Sequence, residues 1–223
     1  MTVDRPADGE LRARLRALPS FPPELPRFDP DAVPADPVPL FLAWLEQAVG
    51  AGVLAAHAAT LATVDASGPS ARVLILKDVD AEGWAVATPA DSRPGEAMTA
   101  SGRAALTFFW PALGRQVRVE GEVRRASPDE AARDFRERPA SARATALVGR
   151  PTRVLSGDAE YRTARAAAAR RVEADPELVP DHWALWRIVP GTVEFWQAAH
   201  DRAHVRVRYW REGDAWLRER LWP

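Results

Sequence analysis

Four basic side chains stand two apart near the C-terminus, Arg202, His204, Arg206 and Arg208, with Ala203, Val205, Val207 and Tyr209 at the alternate positions. Successive strand side chains point to opposite faces, so the spacing predicts a β-strand from Ala203 to Trp210 with an apolar back and a cationic front. Like charges on one face repel, and either protein carboxylates or an anionic ligand could balance them. A solvated edge-strand face is the plainer reading. Further anion-seeking residues are spread along the chain: Arg72, Lys77, Ser92 with Arg93, Gln116 and Arg138, and Trp196 stands beside the C-terminal stretch. Barrel strands can gather such side chains, and a phosphate dianion or an electron-rich ring would offset their repulsion. Lys77 is the sole lysine among 30 basic residues. Where charge alone is wanted arginine serves as well, so Lys77 is expected where a compact ammonium cannot give way to a planar fork; a leftover surface lysine is the alternative.

Other chemistries have less support. His200 and His204 are four apart with Asp201 between them, a metal pair if helical, but the alternation argues for strand and no metal is expected. The absence of cysteine excludes disulfides and thiolate nucleophiles. No glycine-rich phosphate loop, dinucleotide fingerprint or serine elbow occurs. A net charge of -1 gives no field for nucleic acid or an anionic membrane. No run of ~18 apolar residues is present, and the N-terminus lacks the apolar core of a signal peptide. A soluble cytoplasmic protein is the expectation.

The elements that must position these residues follow from periodicity. Residues 1–35, with prolines crowded between Pro19 and Pro34, read as an extended arm without regular helix, and 36–223 as the folded domain. Leu40, Phe41, Trp44, Leu45 and Ala48 recur at helical spacing. Strands are expected at 59–65, 71–79, 84–88, 104–110, 115–125, 182–189, 192–197, 203–210 and 215–221, with helices near 96–101, 128–138, 141–148 and 158–174. The run Val73-Leu74-Ile75-Leu76 suggests a strand buried on both faces. Short, evenly spaced strands interrupted by a helical insert point to an antiparallel barrel with helices at its side, a mainly β (α+β) fold.

Taken in order, R-V-L-I-L-K at Arg72–Lys77, S-R at Ser92–Arg93, R-Q-V at Arg115–Val117, R-P at Arg138–Pro139, and E-F-W-Q followed by R-x-H-x-R at Glu194–Arg206 resemble the flavin-dependent pyridoxamine 5'-phosphate oxidase family. The likeness spans nearly everything after the arm. It implies an antiparallel split β-barrel, a homodimer, and FMN at the subunit interface. By the same resemblance Arg72, Val73, Leu74, Lys77, Thr88, Ser92, Arg93, Gln116, Thr152, Trp196 and Arg206 fall where the family holds FMN. Lys77, Asp134 and Arg138 fall at the substrate phosphate, and Arg202 and His204, the catalytic pair, at the reacting part of a small-molecule substrate. The activity implied is hydride transfer from pyridoxine or pyridoxamine 5'-phosphate to FMN with reoxidation by O2; a related phenazine-type oxidase or a flavin binder without turnover are alternatives. Asp134 replaces a tyrosine of the family pattern, Ala142 a serine, Pro94 a cation and Pro151 a polar amide. Arg72 and Lys77, five apart, would lie on opposite faces of a regular strand, so a bulge or strand end is expected between them.

Overall fold

Asp36 starts the first helix of the domain by accepting the Val38 N–H on its side chain, with Pro37 preset in the first turn. The structure, a computed structural model, describes residues 9–149, 151 and 153–223. In chain order it contains α1 (Glu10–Ala17), α2 (Pro37–Gly50), β1 (Ala58–Asp65), β2 (Gly68–Asp80), β3 (Gly83–Ala87), α3 (Arg93–Ser101), β4 (Arg103–Trp110), β5 (Arg115–Arg125), α4 (Pro128–Glu137), α5 (Ala140–Leu147), α6 (Asp158–Ala174), β6 (Leu185–Gln197), β7 (Val205–Glu212) and β8 (Ala215–Leu221). The strands run in the order β3-β2-β1-β4-β5-β6-β7-β8, every pairing antiparallel, and β3 also pairs with β6. Six strands therefore close into a barrel, and β7 and β8 extend the sheet beyond it. The interior holds Leu61, Leu106, Phe108, Val117, Val119, Ile188, Val193 and Phe195, all fully buried, and α2 adds Phe41 and Trp44. Phe41 meets Phe108 edge-on at 4.9 Å and Trp84 at 5.5 Å. No helix among the described residues is long and apolar enough to cross a membrane.

Several expectations need correction. The segments 182–189 and 192–197 are one strand, β6, with a bulge: Glu120 pairs with Thr192 but Gly121 with Pro190. Proline is tolerated at such a bulge, and Gly121 makes room, since a Cβ there would stand 1.9 Å from the Val189 carbonyl oxygen. The arm carries a helix after all, because α1 occupies the proline-free stretch before Pro19. Past it the arm lies against α2 and β7: Phe28 packs on Trp44, and the Tyr209 hydroxyl donates to the Pro34 carbonyl at 2.8 Å. In β2, Arg72, Leu74 and Leu76 face inward, whereas Val73 is 65 % and Ile75 41 % exposed, so that strand is buried on one face only within a chain.

Candidate active site

The only lysine sits on a bulge. Leu76 pairs with Val86 and Asp78 with Ala85, leaving Lys77 as the extra residue of β2, which places the expected irregularity at Lys77 itself. A bulge re-aims a side chain, and Lys77 turns into a cleft of about 470 Å3 whose lining includes Val73, Leu74, Thr88, Arg138, Ala142 and Trp183. At its edge Lys77 Nζ lies 3.3 Å from Asp134 Oδ1, and Asp134 Oδ2 accepts the Trp183 indole N–H at 2.9 Å. Arg138 lies over the Trp183 ring, 4.3 Å from its centroid. Burial lowers its pKa from the usual guanidinium value, with Asp134 opposing that shift. The Arg138 Nε–H is buried without a hydrogen-bond partner.

A second cluster adjoins the cleft through hydroxyls. The Thr88 and Ser92 side-chain oxygens are 3.1 Å apart, and Ser92 caps α3 by accepting the Gly95 N–H. Arg93, the first residue of α3, holds Asp65 at 2.8 Å, which lowers the Asp65 pKa, the Arg93 hydrogen bond being the largest cause. Arg72 does not reach the Lys77 cleft. It donates inward to Thr63 Oγ1 at 2.8 Å and Ser70 Oγ at 2.6 Å, close enough to Arg93 to be repelled by it.

The remaining predicted residues form a third group. Gln116 pairs with Trp196 and Trp196 with Arg206, so the three stand in one row across β5, β6 and β7. His204 packs on Trp196 at 4.7 Å between ring centroids, and its Nδ1 accepts the Ala199 N–H at 3.0 Å. The neutral ring therefore carries its proton on Nε2. The arm reaches this group, with Phe21 5.9 Å from Trp196 and His200 Nε2 3.0 Å from the Pro23 carbonyl. The predicted strand start is corrected: β7 begins at Val205, and Arg202 occupies a left-handed turn with φ 67°. Only Arg206 and Arg208 share a strand face, and protein carboxylates balance both, Glu194 for Arg206 at 2.9 Å and Glu219 for Arg208. Thr152 lies outside the described residues.

Two half-sites result. Thr88 N–H bonds the Ala184 carbonyl just before β6, and Trp196 comes twelve residues later, roughly 35–40 Å of strand contour away. Sequence reasoning missed Trp183, Asp65 and Glu194 as partners. Glu194 was readable, since it shares parity with Trp196 and so faces Arg206 and Arg208, but nothing local marked Trp183 or Asp65.

Residues 45–177 match the pyridoxamine 5'-phosphate oxidase family model, and residues 183–223 the pyridoxine 5'-phosphate oxidase C-terminal dimerisation region. The chain belongs to the pyridoxamine 5'-phosphate oxidase family. It is 40 % identical over 193 residues to the pyridoxine/pyridoxamine 5'-phosphate oxidase of Pseudomonas paraeruginosa, covering 85 % of this chain and 90 % of that one. With the enzyme of the same name from Bordetella avium it shares 42 % over 191 residues, covering 85 % and 90 %. PhzG from Burkholderia lata 383, solved in complex with tetrahydrophenazine-1-carboxylic acid, superposes with a TM-score of 0.84 at 28 % identity, covering 92 % of this chain and all of that one. A pyridoxamine 5'-phosphate oxidase-related, FMN binding protein from Nostoc punctiforme shares the fold, with a TM-score of 0.70 at 17 % identity, covering 85 % and 98 %. As a member of this family the chain falls among oxidoreductases of the flavin-binding split-barrel type.

Proposed function

We propose that the chain is an FMN-dependent oxidase that works as a cytoplasmic homodimer on a small ring substrate of the pyridoxine or pyridoxamine 5'-phosphate type. One observation carries this reading: its anion-binding and ring-binding residues fall into two half-sites at opposite ends of β6, so two subunits are needed to surround one ligand. The outward face of the barrel offers the apolar surface for pairing, with Val64, Val73, Ile75 and Phe109 each more than 40 % exposed.

The donor set suits a flavin nucleotide. Arg72, Arg93, Thr88 and Ser92 provide guanidinium and hydroxyl donors for its phosphate, Val73 and Leu74 apolar contact, and Gln116, Trp196 and Arg206 of the second subunit a polar and aromatic wall for its ring. Thr152 joins them by family likeness. FMN held there supplies a two-electron acceptor that O2 reoxidises. Lys77 and Arg138 bind the anionic end of the substrate. Arg202 and His204 orient its reacting end, His204 through the Nε2 proton that its Ala199 bond leaves free. The ion pair of Lys77 with Asp134 favours a second reading, oxidation of a different anionic ring, as in phenazine-type dihydro-ring oxidation.

Purified protein tests both. A yellow protein that releases hydrogen peroxide on pyridoxamine 5'-phosphate supports the first reading, and yellow colour with peroxide released only on a dihydro-ring acid supports the second. Colourless protein that takes up no added FMN contradicts both.

A further inference from the structure

Among the described residues lining the Lys77 cleft only Lys77 and Arg138 are cationic and none is anionic. Asp134, from one turn earlier in the chain than Arg138, meets Lys77 at the cleft's edge. It is held from two sides, by Lys77 Nζ at 3.3 Å and by the Trp183 indole N–H at 2.9 Å, and its side chain is 12 % exposed. With both contacts in place the carboxylate is fixed rather than free to swing away. The three groups carry a net charge of one positive unit. Ala142, which lines the same cleft, brings no hydroxyl to an incoming oxygen.

We propose that Asp134 sets the charge of the anion this cleft accepts, matching it to a singly charged group such as a ring carboxylate in place of a phosphate dianion. The inference rests on the oxidase reading of the same site and, between its two substrates, favours the ring acid over the 5'-phosphate. Any anion on Lys77 must share that ammonium with Asp134 and lie within a few ångströms of its carboxylate. Repulsion from Asp134 scales with ligand charge, as does attraction to Lys77 and Arg138, so Asp134 removes about half of the advantage that two cations alone would give a dianion over a monoanion. The Trp183 bond prevents the simple escape of turning Asp134 outward, since turning would strand a buried indole N–H.

The test uses the FMN-loaded dimer and ligands that a flavin does not oxidise, with an inert methyl at the reacting carbon or an already aromatic ring. 4-Deoxypyridoxine and its 5'-phosphate differ only in the phosphate, and phenazine-1-carboxylate serves as the monoanion. Dissociation constants come from equilibrium dialysis. In the wild type the phosphate is expected to improve binding less than tenfold. In Asp134→Asn, whose amide oxygen still accepts from Trp183, that factor should rise at least tenfold, and phenazine-1-carboxylate should gain clearly less. A phosphate that already improves wild-type binding a hundredfold, or a factor unchanged in Asp134→Asn, overturns the inference. The wild-type ratio decides alone if the variant does not fold. Flavin uptake is read separately from visible absorbance: its failure contradicts the oxidase reading, whereas full uptake with strong phosphate preference contradicts this inference only.

Discussion

Arg206 sets its Nε and one terminal nitrogen each 2.9 Å from the same Glu194 oxygen, and Glu194 is only 6 % exposed. Arg118 approaches the other Glu194 oxygen at 3.8 Å. One buried carboxylate thus balances two guanidiniums on the face that also carries Trp196 and Gln116. Removing its charge leaves Arg206 without a carboxylate, whereas Arg118 keeps its pair with Glu120; allowing for partial exposure, Glu194→Gln should cost about 1–3 kcal/mol of stability. FMN affinity should fall several-fold with it, because Arg206 loses its fixed orientation. Urea unfolding and flavin titration read the two effects, and a variant unchanged in both would show Arg206 to be held some other way.

Lys77 combines a bulge, an ion pair and a place in the cleft. Lys77→Arg keeps the charge but puts a planar, longer group where Asp134 and the anion share a compact ammonium. It should lower kcat/KM by about tenfold, ~1.4 kcal/mol of transition-state binding, with flavin retained. Unaltered kcat/KM would return Lys77 to the status of an ordinary surface lysine.

Glu130, on the helix that also carries Asp134, gives a pH signature in stability. It accepts from the Ser127 hydroxyl at 2.8 Å, the Ser127 N–H at 3.0 Å and Arg187 at 3.0 Å. These bonds, Ser127 foremost, hold its carboxyl at about 2 instead of the ordinary 4.5. A carboxyl depressed on folding stabilises the protein above its unfolded value, and the contribution is lost as pH falls from about 4.5 toward about 2. Thermal midpoints across that window should fall less steeply in Ser127→Ala than in the wild type. Equal slopes would assign the acid sensitivity to other groups.

The barrel was legible because its strands alternate and its turns are marked: β5 sets Val117 and Val119 against Gln116 and Arg118, and Gly68 and Gly83 fall in the hairpin turns. Capping was legible as well, since Ser127 and Glu130 form the reciprocal box that their spacing suggests. What alternation could not give was the break before Val205, where the left-handed Arg202 interrupts a pattern that continues in sequence. Nor could local pattern supply partners from afar. Trp183 meets Asp134 across 49 residues, and Arg93 meets Asp65 across 28. Val73 and Ile75 look like core in sequence because they are apolar, yet one chain alone leaves them open.

That open face supplies a prediction of its own. Phe109 stands opposite Gln116 and is 52 % exposed, so Phe109→Arg should leave the barrel folded while placing a charge on the face proposed for subunit pairing. Light scattering should then show monomer, and the monomer should lose FMN. A dimeric, yellow Phe109→Arg protein would place the contact elsewhere.

Subunit complementation reaches the central claim most directly. Arg72→Ala and Trp196→Ala each damage a different half-site, so each homodimer should bind FMN poorly. If every site takes Arg72 from one subunit and Trp196 from the other, exchange between the two variants makes heterodimers with one intact site and one doubly damaged site. Random pairing then restores about one quarter of the wild-type flavin content. A mixture that binds no more FMN than the average of its two parents would contradict a site shared between subunits.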